Sequence, residues 1–338
     1  MNRERIQLAH GGGGQLSAEL IAEVILPILG SQRPGRLTDA ACLSVDAGRL
    51  AFTTDSYVVQ PLEFPGGDIG KLAVCGTIND LAVAGAQPRA LSLSLVLQEG
   101  LAISTLRKVL TSAAGAARDA GVEIVTGDTK VVGREGCDGM IVNTAGVGVV
   151  AEGAELGFER VEQGDCILLS GALGEHGLSV VSCRKGLSFA TDLRSDCAAL
   201  HELTGSLLAS LGGNVHFMRD PTRGGLAATL AELAAAIGRD VEIQEEAIPV
   251  NPVARSAAEM LGLDLLTVAN EGKLVAVVAA RQAPRALEIL RSHRLGAKAA
   301  IIGTVGEAAS GPLVEMQTVV GGRRIVQMPY GEELPRIC

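Results

Sequence analysis

The sequence predicts two α/β domains, and three observations point there. A chain of 338 residues is more than one ordinary core fills and suits two domains of roughly 150 residues. Hydrophobic residues make up 47% of it, yet aromatics are 2% and Trp is absent. The core must therefore be built from Ala, Val, Leu and Ile, which suits helices lying closely on sheets. Segments with strand and helix periodicity also alternate in two runs, with a boundary near 151–161.

Taken in order, Gly11-Gly12-Gly13-Gly14 precedes Leu16, Leu20, Ile21, Val24, Ile25, Ile28 and Leu29 at helical spacing, with Ser17 placed to cap the helix. A glycine loop before a helix can receive phosphate, but no Gly-Lys-Ser/Thr follows, so this is no P-loop. A disordered linker fits the same residues. Leu43–Val45 and Leu50–Thr53 form a hairpin around Asp46-Ala47-Gly48. A helix is expected from Ile69 to about Ala84, with Asn79 and Asp80 on the apolar stripe of Ile69, Leu72, Ala73, Gly76 and Val83. Leu91, Leu93, Leu95 and Leu97 alternate with serines as a strand. A helix over 104–119, a strand over 122–126 and a strand over 145–150 complete the first half.

The second half restarts with a buried strand at 165–171. A helix follows Gly224-Gly225, strands are expected around 265–268 and 274–278, a helix over 283–293 and a strand over 300–303. The tail from Gly331 to Cys338 has no periodicity and reads as mobile.

Net charge is −9, and no basic block could follow a nucleic-acid backbone. No signal-like start and no stretch of 18 apolar residues is present, so the chain reads as soluble and cytoplasmic, with no membrane partner. Seven cysteines without a C-x-x-C pair argue against a zinc cluster or disulfide framework. Six read as ordinary core or loop residues, whereas packing does not account for Cys338 at the last position.

Asp39, Asp55, Asp80, Asp128 and Asp220 lie beyond strands or beside small residues. Singly, each reads as a cap or turn residue. As a set they suit Mg²⁺ held between an acidic protein and a polyphosphate. Asp80 leads because an inward carboxylate needs a cation or donor. Asp220 follows because Gly224-Gly225 would leave helix N–H groups free for an anion. Arg219 and Arg223 could bind phosphate or simply be solvated. Lys130 and Glu271 sit among small, turn-forming residues, where either could be a surface charge.

Asp39-Ala40-Ala41, Thr53-Thr54-Asp55, Gly76-Thr77-Ile78-Asn79-Asp80-Leu81-Ala82, Gly127-Asp128-Thr129-Lys130, Asp220-Pro221-Thr222-Arg223-Gly224-Gly225 and Asn270-Glu271-Gly272 together resemble the ATP-binding superfamily of aminoimidazole ribonucleotide synthetase, the PurM-like fold. The ending Pro335-Arg336-Ile337-Cys338 and Ala9-His10-Gly11 are similar to its hydrogenase-maturation carbamoyl dehydratases. The resemblance implies an N-terminal flap and helix over 1–36, an ATP-binding and dimerisation domain over 37–152, a C-terminal α/β domain over 153–328 and a reactive tail over 329–338. It further implies a homodimer whose N-terminal sheets close a shared barrel.

ATP and Mg²⁺ are the implied cofactors, with Cys338, Glu271 and Lys130 catalytic. Asp39, Asp80, Asp128 and Asp220 are the implied metal ligands. His10, Gly12, Asp39, Asp55, Asn79, Asp80, Asp128, Asp220, Arg223 and Gly224 are expected at the nucleotide. The implied partners are a carbamoyltransferase of the HypF kind as donor and an iron scaffold of the HypC/HypD kind as cyanide acceptor. A selenophosphate synthetase would want a reactive Cys ahead of the glycine loop, where the first cysteine here is Cys42. A thiamine-phosphate kinase type and a non-enzymatic, nucleotide-binding thiol-tail scaffold are the other readings.

Overall fold

Strict alternation makes Leu91, Leu93, Leu95 and Leu97 one face of a strand. In the structure, a computed structural model describing residues 14–20, 41–45, 48–184, 193–331 and 337–338, they lie on the long strand inside the first sheet. That half contains α1 (Gln15–Leu20), β1 (Ala41–Val45), β2 (Gly48–Tyr57), a short ribbon of β3 (Glu63–Phe64) and β4 (Gly67–Asp68), α2 (Ile69–Val83), β5 (Ala86–Gln98), α3 (Ile103–Asp119), β6 (Glu123–Val132) and β7 (Met140–Val150). The sheet order is β1-β2-β7-β5-β6, with only β5 and β6 parallel.

The second half contains β8 (Cys166–Leu169), α4 (Glu175–Arg184), α5 (His201–Leu211), β9 (Val215–Arg219), α6 (Gly225–Ile237), β10 (Arg239–Gln244), α7 (Pro252–Leu261), β11 (Val275–Val278), α8 (Ala283–Ser292), β12 (Ala300–Ala308), β13 (Val314–Gln317) and β14 (Arg323–Val326). Its seven strands run β14-β13-β10-β12-β8-β11-β9, antiparallel except for the β10–β13 pair. A shared core joins the halves, running from Leu81 and Val83 through Leu200, Leu203 and Leu207 to Leu168 and Ala276. None of the helices among the described residues is long and apolar enough to cross a membrane.

Four sequence expectations need correction. The first helix begins at Gln15, so Ser17 lies inside it; its opening N–H groups, at Gln15 and Leu16, donate to the Pro329 and Tyr330 carbonyls. Leu265–Val268 is a turn, because Asp264 accepts from Leu266 N and its carbonyl from Thr267 N and Oγ1, the local competition by which Asp displaces strand pairing. Gly127-Asp128-Thr129-Lys130 is part of β6 and no turn: Gly127 pairs with Leu93 so closely that a Cβ there would stand 2.0 Å from the Leu93 carbonyl oxygen. Finally, α2 has no single apolar stripe. It is buried on every side apart from Lys71 and Asp80, because the sheet covers one side and α3 and α5 cover the other.

His10, Gly12, Asp39, Pro335, Arg336 and the positions from Ile21 to Leu29 expected to be helical lie outside the described residues. Asp68 caps α2 by accepting from Gly70 N at 2.8 Å and Lys71 N at 3.0 Å. Within α2, Gly76 lets the buried Tyr57 ring reach the helix, since a Cβ there would meet the Tyr57 hydroxyl oxygen at 2.2 Å. Gly76→Ala is therefore expected to lose about 1–3 kcal/mol of stability by overpacking. Tyr57→Phe in the same chain should return part of the loss. Urea unfolding of the two single variants and the double variant checks this, and additive losses would refute the contact.

Candidate functional site

The two residues that end the Gly76–Asp80 run do different work. Asp80 stays partly accessible and accepts from Thr53 Oγ1 at 2.7 Å, joining α2 to β2. Asn79 is buried, and its side chain crosses to the other half: Nδ2 donates to the carbonyls of Ala198 and Glu271, both at 3.1 Å, and Oδ1 accepts from Leu200 N at 2.8 Å. Both amide hydrogens are thereby used. Asn79 positions Glu271, rather than reaching out toward a ligand.

The Asn270–Lys273 segment is gripped from three directions. Asn270 Oδ1 accepts from Gly174 N at 2.8 Å and its Nδ2 donates to Pro221 O and Val268 O. Asp196 accepts from Glu271 N at 3.1 Å and Gly272 N at 3.3 Å, and pairs with Lys273 Nζ at 3.0 Å. Lys273 also pairs with Glu175 at 3.0 Å. Burial alone would raise the Asp196 carboxyl, but Lys273, His176 and the Glu271 N–H hold it below the usual carboxylate range. Gly272 is required, because a Cβ would stand 1.9 Å from the Asp196 carbonyl oxygen.

This grip presents Glu271, 2% exposed, with its Oε1 lacking a hydrogen-bond partner. Burial raises its pKa well above the ordinary carboxylate value, and Asp220, Asp196 and Asp55 raise it further, against Arg223. Tyr57, buried beneath the same cleft, is likewise pushed up by burial, then by Asp55, Asp80 and Glu271. Four of the predicted residues, Asp55, Asp80, Asp220 and Glu271, thus share one acidic cleft between the halves, with Arg223 at its edge.

Cys338 lies in this cleft. Its main-chain oxygen accepts from Val58 N at 3.4 Å, and negative charge at this last residue is the leading cause that raises the Arg223 guanidinium above its usual value, burial opposing. Ile337 is 4% exposed, in one cluster with Tyr57, Val59 and Phe64. The last two residues, expected from the sequence to be mobile, are therefore seated. Two cysteines read as ordinary core, Cys75 and Cys197, also meet in this cluster, thiol to thiol.

Asp128 and Lys130 lie elsewhere. Strand parity puts Asp128 and Lys130 on the face of the first sheet opposite α2, with Thr54, Ser56, Ser94 and Asn143. Lys130 is exposed and paired with Asp128 at 3.0 Å, so the chain does not bring it to Glu271. The N–H groups expected to be free at Gly224-Gly225 are mostly engaged: Gly225 N donates to Thr222 O, Ala227 N to Leu266 O and Ala228 N to Gly224 O. Arg219 pairs with Glu232 at 2.5 Å. Among the described residues no three His, Cys, Asp or Glu side chains form a ready metal cluster. Asp196, Lys273 and His176 were missed in the sequence; only Lys273, next to the Asn-Glu-Gly run, carried a usable signal.

Residues 37–150 match the family described as AIR synthase related protein, N-terminal domain, and residues 162–314 match its C-terminal domain. Carbamoyl dehydratase HypE of Rhodobacter capsulatus is 48% identical over 338 residues, covering 99% of this chain and 98% of that protein. A solved HypE–HypF complex aligns with a TM-score of 0.86 at 44% identity, covering 92% of this chain and 99% of that chain. A hydrogenase maturation protein HypE solved with ATP aligns at 0.83 and 44% identity, covering 99% and 100%.

The raised Glu271 pKa has a stability consequence. Protonation favours the fold, so Glu271 contributes fully below the unfolded-state pKa of about 4.3 and loses that contribution as pH rises toward the folded-state value. Glu271→Gln cannot ionise. It should match the wild type in acid and gain on it by up to about 1.4 kcal/mol per pH unit through that window. Urea melts across pH test this; a stability difference that does not change with pH would contradict the burial of a carboxylate there.

Proposed function

We propose that this chain, which belongs to the carbamoyl dehydratase HypE family of the AIR synthase-related proteins, dehydrates an S-carbamoyl group on its own Cys338 to a thiocyanate with consumption of ATP. It is an enzyme of hydrogenase maturation, and the thiocyanate supplies cyanide for the iron of a [NiFe] site. The observation that carries the residue assignment is the seating of Cys338 beside Arg223 in the cleft that holds Glu271.

A thiocarbamate, Cys–S–C(=O)–NH₂, loses water poorly because oxide is a bad leaving group. Transfer of the γ-phosphoryl group to the carbonyl oxygen, with loss of one N–H proton, turns that oxygen into phosphate. Loss of the second N–H proton then expels phosphate and leaves Cys–S–C≡N and ADP. Phosphoryl transfer needs positioning and charge stabilisation more than covalent help. Glu271 is the proton acceptor. Its burial makes the ionised carboxylate a stronger base than a solvated one, and Arg223 favours the ionised form.

Asp55, Arg223 and Gly224, with His10 and Gly12, hold the nucleotide, while Asn79 acts through the Glu271 main chain. Asp80 and Asp220 offer the hard oxygens that suit Mg²⁺, and the mutual repulsion that raises Glu271 is what a divalent cation would relieve. Asp39, and Asp128 from the other chain of the homodimer proposed below, complete the set. Bound Mg²⁺ supplies neutralisation of phosphate charge. HypF, found with the crystallised relative, is the proposed carbamoyl donor, and a HypC/HypD-type iron scaffold the acceptor.

Lys130 and Asp128 favour a homodimer. The face that bears them also carries Phe52, Val147 and Val149, exposed or half-buried, and two such faces would close a barrel and cover both. Lys130 then serves the cleft of the other chain, as charge stabiliser or relay.

Intact-mass analysis of the last peptide, after incubation with carbamoyl phosphate, ATP and the carbamoyltransferase, separates carbamoyl from cyano adducts by one water. Wild type should reach the cyano form. Cys338→Ala should carry neither, and Glu271→Gln should stall as thiocarbamate with a loss of about 10²–10⁴ in rate. Cyanation of Glu271→Gln at the wild-type rate would remove it as the base.

Mixing decides where Lys130 acts. Each homodimer of Glu271→Gln or Lys130→Ala should be impaired, whereas in an equimolar re-equilibrated mixture half of the dimers are mixed, each with one intact site of two, and the mixture should recover about a quarter of wild-type activity. No recovery in verified mixed dimers would mean that Lys130 acts within its own chain or not at all.

A further inference from the structure

His176, on α4, is fully buried and uses both ring nitrogens. Nε2 stands 2.9 Å from the Ile337 carbonyl oxygen and Nδ1 stands 2.8 Å from Ser195 Oγ. A carbonyl can only accept, so Nε2 carries the proton and Nδ1 accepts from the Ser195 hydroxyl. The Ser195 oxygen in turn accepts from Cys197 N at 3.1 Å. Burial lowers the ring's pKa, opposed by Asp196 and the Ile337 carbonyl, and so favours the neutral ring with this tautomer. The ring stands edge-on to Phe64, with centroids 5.3 Å apart and planes at 88°.

The donor series Cys197 N–H, Ser195 O–H, His176 Nε2–H therefore ends on the peptide group that joins Ile337 to Cys338. The Ile337 side chain is held in the same cluster as Phe64. We infer that His176 is a positioning residue that latches the tail, fixing the Ile337 carbonyl so that the Cys338 sulfur is presented to the cleft of Glu271 and Arg223. Release of the tail breaks this bond and frees Cys338 for loading. The consequence for dehydration rests on the function proposed above; the latch itself does not.

The test measures tail docking without turnover. Full-length protein is alkylated with iodoacetamide, and labelling of Cys338 is followed by peptide mass relative to Cys137, which lies in the other half and is partly accessible. His176→Leu leaves the Ile337 carbonyl without its donor, and should raise the relative alkylation rate of Cys338 roughly tenfold. His176→Gln, which can place an N–H near the position of Nε2, should restore most of the protection. Ser195→Ala keeps the ring but frees its tautomer, and should raise alkylation by about threefold; this arm remains should the Leu variant not fold.

In single turnover from preloaded carbamoyl-Cys338, dehydration should slow in the same order while carbamoyl loading does not. Wild-type alkylation in a folded Leu variant, a Gln variant no better than Leu, or an unaltered Ser195→Ala variant overturns the latch. Alkylation that follows the predicted order in a protein that never forms the cyano adduct would uphold the latch and overturn the dehydratase reading.

Discussion

Two polar side chains from different parts of the chain hold the main chain at Glu271, and the cleft is built outward from that hold. Asn79, on a helix of the first half, takes its carbonyl; Asp196, in the loop before α5, takes its N–H. Neither touches the Glu271 carboxyl, yet together they fix where it points. Asn79 also ties the halves together, since it binds Ala198 and Leu200 at the entrance to α5, the helix that carries the shared core. The supporting ion pair of Lys273 with Asp196 is itself buried. Removal of one partner from such a network costs about 3–5 kcal/mol because the other is left charged and dry, so the position of Glu271 is coupled to the stability of the whole assembly.

That coupling explains how a carboxyl can stay in so unfavourable a place. Glu271 sits among Asp55, Asp196 and Asp220 with Arg223 as the opposing charge, an arrangement that solvent exposure would relax. The held backbone prevents that relaxation. An acidic cleft of this kind repels a bare polyphosphate and accepts one that arrives with its cation, which links the protein's overall charge to the chemistry proposed for it. The tail residue contributes too, since Cys338 is the main influence on Arg223.

Much of this architecture was legible in the sequence, and the gaps have physical causes. The strand at 91–97 followed its alternation, the helix over 69–83 is present although buried on nearly every side rather than along one stripe, and the acidic set drew attention to Asp55, Asp80 and Asp220, with Glu271 marked by its small, turn-forming neighbours. Asp264 concealed a turn inside apolar residues, and the exposed edge strand β6 looked like a turn because Gly127 and Asp128 usually make one. Lys130 could be assigned to a face only after that strand's register was known. Asp196 and His176 belong to no local pattern at all: their partners are 75 and 161 positions away, and a contact of that range leaves no periodic trace. The meeting of Cys75 with Cys197 is of the same kind.

The seating of the tail is a balance of small numbers. Burial of an isoleucine side chain is worth about 1.5–3 kcal/mol, and the His176 hydrogen bond adds about 0.5–1.5 kcal/mol. The 3.4 Å contact from Val58 N is too long to add much. Against this, fixing the backbone of two residues costs about 1–2 kcal/mol each, and the isoleucine side chain loses about 0.5–1 kcal/mol of rotamer freedom. The terms cancel to within a few kcal/mol, so for these last two residues the docked and released states are close in free energy. The function proposed above, in which the tail is loaded, reacts in the cleft and then delivers its group, requires such near-equality. A bulkier anchor than Ile337 would trap Cys338 in the cleft, and a smaller one would leave it outside, beyond the reach of Glu271.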